Sequence, residues 1–380
     1  MNVLFLAPLK PPDHPEPSGD REMARLLIRA LEGAGCAVRL GSRLRMLDRR
    51  GDTAVMQDLA AQARREADRI LAEIEAGPAQ ARPDLVFTYH VHYKAPDVIG
   101  PLVARALAIP LVVAEGSRAP KRARGPWAEG HRLAETALDA ADLVLVMNER
   151  DRPMLEAARA PGQAIATLLP FADAAAWPDA RVRRRAPSRP LRLLAVAMMR
   201  PGDKLASYAL LADALARLDP GGWTLDVAGD GPAQDEVRRR FAAFGDAVRW
   251  CGRVADRAVL ARLYAGADLL AWPAVNEAYG MVFLEAGLQG CPALAGRFGG
   301  VPGVVIDGDT GRLVPGGDAV AFADALAAFI ADPAALDPLS RGAARLSREE
   351  RTLAQASASL AALLDPLVRD APRRGHGAAA

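Results

Sequence analysis

Short apolar runs alternating with helical stretches, twice over, constrain this chain more than any other feature. Val3–Pro8, Cys36–Leu40, Asp84–Tyr89, Leu111–Ala114 and Leu143–Met147 read as buried strands. Between the first two, Ala24, Leu27, Ile28 and Leu31 fall at helical spacing in a helix from about Asp20 to Gly33, stopped by Gly33 and Gly35. A charged helical stretch covers 57–76. Strands separated by helices predict parallel βαβ units with helices on both sheet faces. Such sheets take ligands at the carboxyl ends of their strands.

The pattern breaks at Trp177–Pro190, a proline- and arginine-rich segment without apolar periodicity, and then restarts. Leu191–Ala197, Thr224–Ala228, Val248–Cys251 and Leu269–Trp272 are strands; helices are predicted over 205–218, over 233–244 and from about Gly280. The 380 residues therefore divide into a domain over 1–175, a linker over 176–190, a second domain over 191–350, and a C-terminal helix with a frayed tail over 351–380.

Composition narrows the function. The 48 basic and 46 acidic residues leave a formal charge of +2, unlike a dedicated nucleic-acid binder. Residues 1–190 carry 28 basic and 24 acidic side chains, which leaves an anionic acceptor or a peripheral membrane contact open for that half. Three scattered cysteines suit neither a disulfide framework nor a thiolate metal site, and the five histidines show no paired-ligand spacing. No apolar run reaches membrane-spanning length, and the first residues lack a cationic start and a cleavage site, so the expectation is a cytoplasmic protein. Only four lysines occur: Lys10, Lys94, Lys121 and Lys204.

The most informative segment runs from Asn276 to Ala286. Its two carboxylates, Glu277 and Glu285, lie eight positions apart, with Gly280 between them. A strand and a glycine before the helical part argue for a loop entering a helix near Gly280. Glu277 then hangs over the helix N-terminus, and Glu285 lies more than a turn inside. Free N–H groups at such a terminus suit a diphosphate; the two carboxylates suit hydroxyls of a ribose and of a sugar. An ordinary amphipathic helix with one capping and one exposed Glu is the plainer reading.

The neighbours add to the first. Arg200-Pro201-Gly202-Asp203-Lys204 follows the Leu191–Ala197 strand, placing two cations in a loop at its carboxyl end, where they suit a leaving diphosphate. Val227–Pro232, Trp250–Val254, and Gly299–Pro302 with Ile306–Leu313 are three more strand-to-turn segments in the same order along the chain. The Asp307-Gly308-Asp309 string reads as a turn rather than as a metal site. No glycine-rich dinucleotide fingerprint, phosphate-binding P-loop or nucleophile elbow is present.

Over residues 1 to about 335, and most closely from Leu191 to Pro315, the sequence resembles the family 4 retaining glycosyltransferases of the GT-B type. The resemblance implies two Rossmann-like α/β domains facing across a cleft, the second holding a sugar nucleotide. The family's E-x7-E motif falls on Glu277 and Glu285, with its glycine on Gly280 and Tyr279 in place of the usual Phe. By resemblance Glu285 holds the ribose, Glu277 the transferred sugar, and the main chain of Met281 and Val282 the sugar and diphosphate. The family's cationic pair falls on Arg200 and Lys204, and the base pocket on Arg253 and Val254.

The first half matches less specifically. Its glycine-rich loop is reduced to Gly19 in Pro17–Arg21, and the family's histidine after the Leu111–Ala114 strand is replaced by Glu115-Gly116-Ser117. His90 and His92, at the end of the preceding strand, are acceptor-side candidates with Glu115. Lys121, with Arg118, Arg122 and Arg124, forms a basic loop suited to an acceptor phosphate or simply to solvent.

The resemblance implies transfer of a hexose from a nucleoside-diphosphate sugar, UDP before GDP, to a hydroxyl acceptor, with retained configuration and without a metal or other cofactor. Alternatives are a GT-B epimerase, a glucan synthase, or a catalytically silent sugar-nucleotide-binding protein.

Overall fold

The computed structural model describes residues 1–178 and 190–370. Most of the linker, 179–189, and the tail, 371–380, lie outside the described residues. The chain divides into two compact units, Met1–Leu169 with the C-terminal segment from Leu353, and Pro170–Thr352.

The first unit runs β1 (Asn2–Leu6), α1 (Gly19–Gly33), β2 (Ala37–Leu40), α2 (Thr53–Ala76), β3 (Leu85–Val91), α3 (Ile99–Leu107), β4 (Leu111–Gly116), α4 (Ala128–Ala140), β5 (Leu143–Val146), α5 (Arg152–Ala157) and β6 (Ala164–Thr167). Its six strands are all parallel in the order β2-β1-β3-β4-β5-β6, with Leu4 opposite Arg39 on one side and Val86 on the other. Helices cover both faces, so central strands are apolar throughout: Leu143-Val144-Leu145-Val146 is buried at every position.

The second unit runs β7 (Leu191–Val196), α6 (Asp203–Leu215), β8 (Trp223–Ala228), α7 (Gln234–Phe241), β9 (Val248–Gly252), α8 (Arg257–Gly266), β10 (Leu269–Trp272), α9 (Met281–Leu288), β11 (Ala293–Gly296), β12 (Gly311–Val314), α10 (Ala319–Ala331) and α11 (Leu336–Arg345). Its sheet, also parallel, has the order β12-β11-β10-β7-β8-β9. No single described helix is long and apolar enough to cross a membrane.

The structure draws the domain limits differently from the sequence reading. Pro170–Trp177 belongs to the second unit: Ala172 N–H donates to Arg351 O at 2.8 Å, and the Trp177 ring lies 6.1 Å from that of Tyr264. The last helix, α12 (Leu353–Asp370), returns to the first unit and packs on α1. Ala356, Leu360 and Leu364, four residues apart, form its buried stripe. At its contact with α1, a Cβ on Gly33 would lie 2.4 Å from Ser357 Oγ.

Candidate functional site

Each sheet has one place where chain order reverses. Counted from β7, the second sheet reads 3-2-1-4-5-6, so the reversal lies between β7 and β10. In the first sheet it lies between β1 and β3. Loops leaving the carboxyl ends of such a strand pair diverge and leave a crevice, where doubly wound folds bind ligands.

In the second unit the diverging loops carry the predicted cations and carboxylate. The loop after β7 holds half-buried Arg200 and leads into α6, whose second residue is Lys204. The loop after β10 holds Glu277. The Lys204 ammonium donates to the Glu277 carboxylate, pairing residues 73 positions apart. Lys204 Nζ also lies 5.7 Å from the centre of the Trp272 ring. Trp272 is fully buried at the end of β10 and meets Tyr208 edge-on at 4.9 Å; the Tyr208 hydroxyl donates to Ala197 O at 2.8 Å.

The Glu277 loop is strained and anchored. Ala274 and Asn276 adopt left-handed backbone at φ 56° and 49°, which costs on the order of 1–3 kcal/mol each. Two bonds to α6 hold that shape: Val275 N–H to Ser207 Oγ and Asn276 Nδ2 to Asp203 Oδ1, both 2.9 Å. From the other side Gly300 N–H donates to Ala278 O at 2.9 Å, and Gly299, at φ +48°, lies so close that a Cβ there would sit 1.9 Å from Glu277 O.

Gly280, at φ +73°, is the N-cap of α9. Met281 and Val282 are the helix's first two residues, whose N–H groups have no carbonyl four residues back within it. Glu285 sits one turn in and accepts from the Tyr264 hydroxyl at 3.1 Å. Burial first, then the Glu285 carboxylate, raise the Tyr264 pKa well above its ordinary value, so the phenol keeps its proton and donates it. Arg253, exposed, and Val254, half-buried, follow β9. That strand is the sheet edge, two strands from β7 and so roughly 10 Å away; the structure does not join them to the Lys204–Glu277 pair.

In the first unit the structure joins His90, His92 and Glu115. His90 adopts φ 65° inside β3, and its ring lies 4.8 Å from that of His92. His90 Nδ1 lies 3.2 Å from Asp20 Oδ1 and Nε2 3.6 Å from Glu115 Oε1; Glu115 too is left-handed, at φ 61°. Burial disfavours charge on His90, yet the Glu115 carboxylate and the hydrogen bond to Asp20 outweigh it and hold the pKa up to about 9. His92, buried beside that cation, drops to about 3, and its Nδ1 accepts Ala95 N–H at 3.1 Å. His92 thus closes a turn as a neutral ring. Gly19 opens α1 after the N-cap Ser18, but a side chain there would meet open space, so the fold itself does not demand the glycine. Lys121 is exposed in a short turn, Pro120–Arg122.

Residues 190–332 match the family model for group 1 glycosyl transferases. A D-inositol 3-phosphate glycosyltransferase of Salinispora tropica is 32% identical over 307 residues, covering 72% of this chain and 62% of the relative. The chain spans 62% of the length of that relative and 17% of a Corynebacterium diphtheriae one of the same name, under two thirds in both. Among solved structures, sucrose-phosphate synthase from Thermosynechococcus elongatus superposes with a TM-score of 0.73 at 18% identity, over 97% of this chain and 100% of that one. HepE of Anabaena, in complex with UDP, gives 0.71 at 19% identity, over 96% and 99%. Those likenesses are of fold: α/β, of the GT-B class, with two Rossmann-like sheets.

Sequence reading missed Asp20, Tyr264 and Trp272. Asp20 carried a signal, an acid in the first turn of a helix opening at Gly19. Tyr264, 21 positions before Glu285, and Trp272 carried none, because only the packing of α8 on α9 and the pairing of β10 with β7 bring them to the site.

Proposed function

We propose that this protein is a retaining glycosyltransferase that moves a hexose-type sugar from a nucleoside-diphosphate sugar to a hydroxyl acceptor. The observation that carries the reading is the Lys204–Glu277 pair at the chain-order reversal of the second sheet, beside the start of α9. The family match over 190–332 supports it; a neighbour of the same fold holds UDP and a relative is GDP-mannose-dependent, so UDP-sugar is the first donor to test and GDP-sugar the second.

Lys204 and Arg200 face the diphosphate, α9's first N–H groups meet its oxygens, and Glu285 accepts from the ribose hydroxyls. Donor binding draws the Lys204 ammonium from Glu277 to phosphate and leaves that carboxylate to accept sugar hydroxyls. The bond between the sugar's anomeric carbon and the diphosphate oxygen breaks, and the acceptor oxygen bonds to that carbon on the same face. The acceptor proton passes to the departing phosphate oxygen, so no enzymic base is required. Charge growing on the diphosphate is met by cations already in place, and removing one such group costs about 3 kcal/mol of barrier.

The test is nucleoside-diphosphate release from UDP- and GDP-sugars, with acceptor and without. Lys204→Ala is expected to lower kcat by about 100-fold at an unchanged melting temperature. Activity that persists in chelator agrees with a metal-free reaction. Unchanged turnover in the variant, or a strict Mg²⁺ requirement, would overturn the respective part.

A further inference from the structure

The loops after β3 and β4 carry a second constellation that the donor chemistry does not use. Tyr93 and Trp127 meet edge-to-face at 5.2 Å. Lys94 Nζ lies 5.6 Å from the Tyr93 ring centre and 5.5 Å from that of Trp127, while the Arg122 guanidinium lies 5.4 Å from Tyr93. Two cations therefore share one aromatic ring. Lys121 and Arg124 flank Arg122, both exposed. The Arg49–Arg50 turn adjoins them: Asp48 N–H donates to Lys94 O at 3.0 Å, and a Cβ on Gly51 would lie 3.1 Å from the Trp127 ring.

Among the described residues none of these cations has a carboxylate within ion-pair distance. The contrast lies within one loop: Arg118 is buried against Glu135 and against Asp139 at 2.7 Å, fastening the loop to α4. The adjacent acid, Asp48, is buried and committed to the main chain, accepting Arg50 N–H at 2.8 Å and Asp52 N–H at 2.7 Å. Asp52 caps α2 through Ala54 N–H at 2.9 Å. Like charges gathered without a counter-ion repel one another, and an anion relieves that repulsion. Aromatic faces beneath them hold the cationic heads without neutralising them.

The patch is continuous with the His90 cluster. The Tyr93 ring lies 5.9 Å from His92, and His92 lies 4.8 Å from His90. One end of this path presents hydroxyl-binding groups, His90 with Asp20 and Glu115; the other presents unpaired cations.

We infer that the acceptor is a phosphorylated alcohol, its phosphate held by Lys94 and Arg122 on the Tyr93–Trp127 floor and its hydroxyl directed to His90 and Glu115. This rests on the glycosyltransferase reading and names its acceptor class. The phosphate comes either from a soluble polyol phosphate or from a phospholipid headgroup.

Calorimetry with glycerol 3-phosphate, a hexitol phosphate and an inositol phosphate, each against its unphosphorylated parent, tests the first source. Flotation with phosphatidylglycerol vesicles against pure phosphatidylcholine vesicles tests the second. Preference of about tenfold or more for the phosphorylated partner is expected in one arm, weakening with added salt. A Lys94→Gln/Arg122→Gln double variant with an unchanged melting temperature should lose that preference while UDP still stabilises the protein thermally. Absence of preference in both arms, or its survival in the variant, overturns the inference. Failure of UDP to stabilise wild-type protein would instead count against the glycosyltransferase reading, so the two failures are told apart.

Discussion

Gly299→Ala tests whether the position of Glu277 is set by the chain beneath it. Two costs follow from the geometry. An alanine at φ +48° pays about 1–2 kcal/mol for left-handed backbone, and its Cβ falls 1.9 Å from Glu277 O, a contact no side-chain rotation relieves. The Glu277 segment must move, and it is already strained at Ala274 and Asn276. Displacing a reacting group by about 1 Å costs on the order of 100-fold in rate. The variant should therefore lose about 100-fold in kcat, with a melting temperature lowered by about 2–4 °C per kcal/mol. Gly308→Ala is the matched control: its φ is +80°, but no atom lies within 4 Å of the added Cβ. It should show the stability loss alone. Steady-state kinetics and thermal melts on the two variants decide the matter. Equal kcat for Gly299→Ala and Gly308→Ala would show that the clash, and with it the placement of Glu277, does not govern activity.

Two further outcomes follow from single contacts. Tyr264→Phe removes the donor to Glu285 and should weaken UDP binding by about tenfold with kcat little changed, since a hydrogen bond to a charged group is worth about 1.5–3 kcal/mol; an unaltered Kd in calorimetry would remove Tyr264 as the residue that positions Glu285. His90 has a folded pKa of about 9 against an ordinary 6.5, so its protonated form contributes stability fully below about pH 6.5 and loses it as pH rises through about 9. Urea denaturation across that window should show wild type losing stability that His90→Gln does not, and parallel curves would refute the assignment.

The α/β class and the place of the second-unit loops were legible because both are local. Strands such as Leu269–Trp272 are apolar runs bounded by turn residues, and a strand followed by Gly280 and an apolar stretch signals a helix start wherever it folds. The strands Ala164–Thr167 and Ala293–Gly296 are four residues long with alanine at alternate positions, too weak a strand signal to read; pairing with Leu143–Val146 and Leu269–Trp272 makes them strands. The left-handed backbone of His90 inside its strand, and its contact with Asp20 across 70 residues of chain, are invisible to periodicity.

By itself, then, the sequence determined the strands and helices with clear apolar spacing and which loops carry acids and cations, since those follow from residue spacing within a few turns of chain. Tertiary structure alone decided that β7 and β10 are neighbours, which sets Lys204 against Glu277 across 73 residues. It also decided that α12 returns to the first unit and that Tyr264 reaches Glu285. Contacts between distant segments depend on the order in which strands pair, and no local pattern encodes that order.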